Sequence, residues 1–447
     1  MNPCLGSSQR CALEAAERAD PFGHAVHVCL AMAWGFLQSV TNAGEAISWG
    51  ALLAISIARL PRIRSCYRAV WRDPLWWTAV AWAAWWALAG LWGPAAPGRA
   101  RLLLPERWML TPLMLWPVMG RPWLVLGAMA LGGGVQSASV AVVSWDGSGW
   151  LTKQDAPGLS ALSQSQWQTV TALVLAACGV RFGPWPIRIP AILVAACSGL
   201  AVLVLAVRTM AVAALAGTAL GLSRAVRDRR TAILRLAAAS ACAAVVGAAL
   251  LAWSPAGEAL RASLASAARA AEGGAYVEAA GRASSFRLIL ARAAIDLGLE
   301  HPFLGGGRGS FRAELPGWAE RQIAKDPSVA PFFEKILVGA ISDAHNALLQ
   351  AWAEGGIPAA ALLAAMLLGL AARLWRQSRT SASACTALAL YSIVLVNVPG
   401  GIITAKSPGA LIAVCLAVSW LGLGYRVANP ITCPGALPRS RLSALYM

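Results

Sequence analysis

Charge is scarce in this chain. Only 13% of its 447 residues are Asp, Glu, Lys or Arg, against 58% hydrophobic, and mean hydropathy is +0.60. A string of soluble domains of that length needs far more charged surface, so that class is excluded. Histidine is rarer still, with four residues. The ten cysteines form no Cys-x-x-Cys pair and no Cys/His spacing, which excludes a zinc site or a disulfide framework as the organising device. No Gly-Lys-Ser/Thr phosphate loop occurs, so nucleotide chemistry has no support. No acidic pair with metal-ligand spacing falls in an outer loop, which leaves metal-assisted transfer unsupported. The first residues mix Glu14, Glu17 and Asp20 with basic side chains, unlike a cleavable leader.

What is abundant is apolar sequence in runs of about 20 residues, the length that crosses a bilayer core. The runs are continuous and rich in Ala and Leu, whereas a membrane β-barrel alternates over short segments. The pattern predicts spans near 24–40, 43–60, 75–93, 108–120, 122–142, 167–180, 189–207 and 209–223. A ninth ends near Trp253, and three more lie near 346–371, 384–397 and 409–425. The third holds Trp76, Trp77, Trp82, Trp85, Trp86 and Trp92, too many for an interfacial belt alone, so part of that stripe packs between helices.

The arginines set orientation. Twelve spans place Arg59 to Arg72, Arg121, Arg181 and Arg188, Arg224 to Arg235, and Arg373 to Arg379 on one face. The positive-inside rule makes that face cytoplasmic and accounts for the net charge of +17 without nucleic acid. The expected fold is an all-α polytopic membrane protein. Residues 1–253 carry helices one to nine, 254–345 form a large outer loop, 346–425 carry the last three helices, and 426–447 form a cytoplasmic tail.

The loop holds half of the 20 acidic residues and, with as many Lys and Arg, is neutral overall. So long and polar a connector reads as functional. Phe286, Ile289, Leu290, Ala293 and Leu297 recur at helical period over Ser284–Glu300, with Ser284 or Ser285 as cap. Pro302 and Gly305-Gly306-Gly307 end that helix, and Pro316, Pro327 and Pro331 predict irregular chain beyond it. The triple glycine reads as a turn that lets backbone approach something closely.

Three residues stand out for chemistry. His345 sits where the loop re-enters as a helix that Ser342 or Asp343 can cap, and a histidine there can take a proton from a hydroxyl. Its bland alternative is an interfacial histidine without a role. Arg208 separates two apolar runs, where an arginine either serves function or snorkels to headgroups. Arg287 lies on the predicted loop helix. Arg292 and Arg308 share its alternative reading as solvated side chains.

Taken together these segments resemble the O-antigen ligase family, which also contains O-antigen polymerases and protein O-oligosaccharyltransferases. The family pattern runs from an arginine-led helix through a His-Pro-x-x-Gly-x-Gly turn to His-Asn ahead of Glu-x-Gly-x-Pro. Here it reads Arg287, then His301-Pro302-Phe303-Leu304-Gly305-Gly306-Gly307, then His345-Asn346, Gln350 and Glu354-Gly355-Gly356-Ile357-Pro358. An earlier Ser-Arg after a span is matched by Val207-Arg208-Thr209, without the serine. The resemblance covers about residues 160–370. Two features depart from it: Ser163-Gln164-Ser165-Gln166 stands where relatives often carry Asn, and Ala291 stands where an aromatic is usual. Arg282, with Phe286 four residues on, is therefore a competing match for the family arginine.

The resemblance implies a GT-C-like glycosyltransferase in a bacterial inner membrane, with its active site facing the periplasm and no cofactor. It would move O-antigen polysaccharide from undecaprenyl diphosphate to lipid A–core oligosaccharide, without metal and with inversion. Arg208 and Arg287 would hold the diphosphate and His345 would act as general base. Arg282, Arg292, Arg308, His301, Asn346 and Gln350 would line the substrates. Polymerase and protein-glycosylating activities share this chemistry with other acceptors. A flippase or transporter of lipid-linked glycans is the alternative from another class. It would want polar residues at mid-depth or duplicated halves with broken helices, and the sequence offers neither.

Overall fold

The computed structural model describes residues 7–94, 107–143, 162–182, 185–205, 287–327, 343–397 and 406–423, with the single positions 217, 219, 265, 330, 333 and 337. Every regular element among them is helical: α1 (Ser7–Ala19), α2 (Pro21–Val40), α3 (Asn42–Ile63), α4 (Pro74–Ala89), α5 (Arg107–Leu115), α6 (Pro122–Val143), α7 (Leu162–Phe182), α8 (Trp185–Leu205), α9 (Arg287–Glu300), α10 (Ser310–Lys325), α11 (Ala347–Gln377), α12 (Ala382–Asn397) and α13 (Lys406–Trp420). Among the described residues three helices are long and apolar enough to cross a membrane: Asn42–Arg68, Pro122–Val142 and Ala347–Gln377. Shorter apolar helices run over Trp108–Val118, Trp167–Phe182, Ile187–Ala201, Ala382–Leu395 and Pro408–Trp420. The expected eighth and ninth spans, Arg208, Arg282, the Ser284 or Ser285 cap and Ser342 lie outside the described residues.

Start signals in the sequence explain where helices begin. Asp20-Pro21 and Asp73-Pro74 each place a capping carboxylate before a proline that needs no N–H partner, and both side chains accept from backbone N–H groups of the first turn. Thr41 caps α3 in the same way through Gly44. The amphipathic α1 was not foreseen. It buries Leu13 and Ala16, and its Glu17 accepts from Arg121 at 2.8 Å.

Packing divides the tryptophan stripe of α4. Trp76, Trp82 and Trp86 are buried, with Trp82 and Trp86 stacked at 5.8 Å, while Trp77 is exposed. Between α6 and its neighbours, Gly133 lets the helix close onto the Gln168 carbonyl, where an added Cβ would lie 2.7 Å away. Small residues at such crossings let helix backbones meet where hydrophobic drive is weak.

α4 and α11 run antiparallel and are tied at both ends. At one end Asp73 is wholly buried, receives Arg373 through two bonds of 2.6 and 2.7 Å, and accepts from the Trp420 indole at 2.8 Å. The same end gathers Arg59, which bonds Asp20 at 2.9 Å and the Nδ1 of His27 at 2.9 Å. At the other end the Trp85 indole donates to the Gly355 carbonyl at 2.7 Å. The Arg59, Arg121 and Arg373 ends therefore collect on one side of the helical stack, while the expected Arg224 to Arg235 cluster lies outside the described residues.

Two local expectations are corrected. Residues 310–325 form a helix rather than irregular chain, because Phe311, Leu315, Trp318 and Ala319 bury a stripe whose packing outweighs the donor lost at Pro316. The polar stretch expected as loop up to residue 165 is already helical from Leu162.

Candidate functional site

Opposite the arginine-rich end, α11 is interrupted at Gly356. Gly356 has φ 70° and ψ −172°, outside helical space, and Pro358 follows it. Together they remove the partners that the carbonyls of Ala353, Glu354 and Gly355 would find in a continuous helix. Each is satisfied from elsewhere. The Gly306 N–H donates to Ala353 O and the Gly307 N–H to Glu354 O, both at 2.9 Å, while the Trp85 indole takes Gly355 O. The freed Ile357 N–H donates to Pro302 O at 3.0 Å. The triple glycine thus approaches backbone closely, as expected, and that backbone belongs to the broken helix.

Glycine is required by geometry here. Gly305 has φ 71° and faces the Glu354–Gly355 peptide, so a side chain would collide with backbone. Gly307, at φ 90°, lies against Gly93 in the same way, and the Arg308 N–H donates to Ala89 O at 3.0 Å. The turn is therefore wedged between the end of α4 and the start of α11.

Glu354 bonds the wedge from inside. Its side chain is only 3% exposed, accepts from the Gly309 N–H at 3.0 Å, and accepts from Gln350 Nε2 at 3.2 Å. Gln350 in turn accepts from the Ala344 N–H at 3.4 Å. A run of bonds thus joins the glycine turn to the residue preceding His345.

His345 has φ 48°, the one positive φ outside glycine among the described residues. The left-handed region is unfavourable for a histidine and tends to persist where surroundings over-determine it. Its N–H donates to Asp343 Oδ1 at 2.9 Å, and its Nδ1 lies 3.2 Å from the same oxygen. The ring is 37% exposed. Helix capping falls to Asn346, whose Oδ1 accepts from Leu348 and Leu349, rather than to Ser342 or Asp343 as expected. The turn at His345 places Asn346 in extended backbone, the conformation a cap needs.

α9 lies beside the start of α11 and runs in the same direction. Gly298 faces the Trp352 indole, where an added Cβ would lie 3.1 Å away, and the next turn reaches Ile357 through Pro302. Leu290 and Ala293 share a small core with Ala344, Ala353, Phe311 and Trp318. Parallel travel brings the Arg287 end of α9 to the His345 end of α11. Arg287 is the first residue of α9 and half-buried.

The other expected residues are distributed around this centre. Arg292 is exposed and paired with Asp296 at 2.9 Å on its own helix, and Asp296 also accepts from the Trp318 indole. Arg308 places its guanidinium 5.9 Å from the centre of the Trp86 ring. His301 is exposed, and its carbonyl accepts from Gly305. Near it, burial pushes the Glu314 carboxyl above the usual carboxylate range, with the charge of His301 opposing. Among the described residues no three His, Cys, Asp or Glu side chains gather at metal-ligand spacing.

Two contributors escaped the sequence reading. As a capping type Asp343 does not stand out for chemistry in the sequence, and its one signal is a carboxylate two residues before the histidine. Trp85 was read only as one member of a stripe. Comparison with known proteins adds a family. Residues 192–364 match the family model described as O-Antigen ligase. No curated protein matches the chain.

Proposed function

Since residues 192–364 match the family model described as O-Antigen ligase, we propose that the chain belongs to that family and transfers O-antigen polysaccharide from undecaprenyl diphosphate to the lipid A–core oligosaccharide. The observation that carries this reading is the parallel docking of α9 on α11, which sets Arg287 and His345 at one end of the helical stack. That end lies opposite the arginine-rich one, so by the positive-inside rule it faces the periplasm of an inner membrane.

The chemistry follows from charge. An acceptor hydroxyl attacks the anomeric carbon as the bond from that carbon to the diphosphate oxygen breaks. The pair of electrons leaves with the diphosphate, whose negative charge grows, and guanidinium forks match its oxygens. Arg287 supplies one fork and Arg208 the second. His345 takes the hydroxyl proton, a role that contributes about 10²- to 10⁴-fold. Attack opposite the leaving group inverts the anomeric centre. Both lipid tails stay between apolar helices.

Lipopolysaccharide profiling of a strain lacking this chain tests the reading. Loss of long-chain glycan on lipid A with lipid-linked polymer accumulating, restored by wild type and not by His345→Ala, is the expected result. Loss of long polymer on both carriers with single repeats still on lipid A would replace it with a polymerase. An unchanged profile would overturn it.

A further inference from the structure

We propose that Asp343 is a positioning residue for His345, fixing the ring proton on Nδ1 and leaving Nε2 as the atom that meets the acceptor hydroxyl. The inference rests on the glycan-transfer reading and adds a residue to it. One carboxylate oxygen serves two atoms of the same histidine, the backbone N–H at 2.9 Å and Nδ1 at 3.2 Å. An ionised carboxylate only accepts, so the nitrogen beside it carries the proton and the far nitrogen keeps its lone pair. A base needs that lone pair.

The backbone is bent to make this contact. At φ 48° His345 curls back over Asp343, whereas extended backbone would carry the ring away from a carboxylate two residues earlier. Asp343 is also placed from behind. Ala344, between the two, is fully buried in the small core with Leu290 and Phe311, and its N–H reaches Gln350. Asp343 and His345 are both part-exposed, at 20% and 37%, so the pair sits at the rim, where a substrate can reach the ring. A capping role does not account for the carboxylate, because Asn346 holds the helix N–H groups.

Asp343→Asn separates the two roles. Its Oδ1 still accepts from the His345 N–H and preserves the turn, and stays within reach of Nδ1, while the loss of the negative charge removes what holds the proton on Nδ1 and what stabilises the ring as Nε2 takes a second proton. The measurement is transfer of lipid-linked glycan to purified lipid A–core acceptor in proteoliposomes, with thermal stability followed on the same samples. The inference predicts a fall in kcat of about tenfold or more, with donor KM and stability unchanged. It also predicts no further loss when Asp343→Asn is added to His345→Ala. Activity within about twofold of wild type, or a loss that tracks lowered stability, overturns the inference. A wild-type chain that transfers no glycan, or a His345→Ala variant with full activity, would instead refute the functional reading beneath it.

Discussion

Gly356→Ala tests the wedge at the start of α11. At φ 70° and ψ −172° this position lies in a region that side chains rarely enter, at a cost of about 1–3 kcal/mol. The added Cβ would also collide with the carbonyl of Phe303 and with the Leu304 N–H, which are backbone and cannot swing aside. The turn must then retreat, loosening the bonds from Gly306 to Ala353, Gly307 to Glu354 and Ile357 to Pro302. Each contributes roughly 1 kcal/mol net. The sum is about 4 kcal/mol or more, enough to unseat the 301–309 turn from α4 and α11. Gly127→Ala is the control, since that glycine sits on an exposed face of α6 with nothing within 4 Å of an added Cβ. It should be neutral or stabilising by up to about 1 kcal/mol. Thermal unfolding in detergent, read by tryptophan fluorescence, compares the two. A Gly356→Ala chain that melts with wild type would refute the argument that backbone contact, rather than ligand approach, demands this glycine.

Other outcomes follow from the opposite end. Arg373→Ala leaves the buried Asp73 carboxylate with the Trp420 indole and the Leu75 N–H, and should cost about 3–5 kcal/mol; adding Asp73→Asn should recover part of it in the same melting assay. The hydrogen bond from Arg59, aided by the Gly23 N–H against the effect of burial, holds the Asp20 carboxyl below its ordinary 3.8. That stabilisation is complete above the unfolded value and disappears as pH falls through the lower folded one, so Asp20→Asn should flatten the acid limb of stability against pH. Arg287→Lys keeps the charge but loses the fork, and should lower transfer by about tenfold while leaving stability unchanged.

Much of the fold was legible because its causes are local. Apolar runs, proline-led helix starts and arginine-rich ends all operate within a few residues. Ile289, Leu290, Ala293 and Leu297 gave α9 and its buried face by period alone, and the structure buries all four. Less legible was what long-range backbone contact decides. Nothing near Gly305 reveals that its neighbour is the Glu354 peptide, because two backbones in contact leave only missing side chains as a trace. Asp343 and Asn346 are equally good capping types, and the choice between them rests on the φ of the histidine between them. Pro316 argued against a helix that Phe311, Leu315 and Trp318 stabilise by packing. Of the candidate site, Arg287 and His345 are brought to one end, whereas Arg208 and Arg282 lie outside the described residues.

The most direct test of the central claim is transfer by the purified chain in proteoliposomes supplied with undecaprenyl-diphosphate-linked polysaccharide and lipid A–core. Wild type should yield polysaccharide joined to lipid A–core, and His345→Ala and Arg287→Ala should each fold normally and lose that product. Transfer by both variants at the wild-type rate would contradict the site, and no transfer by wild type would contradict the function.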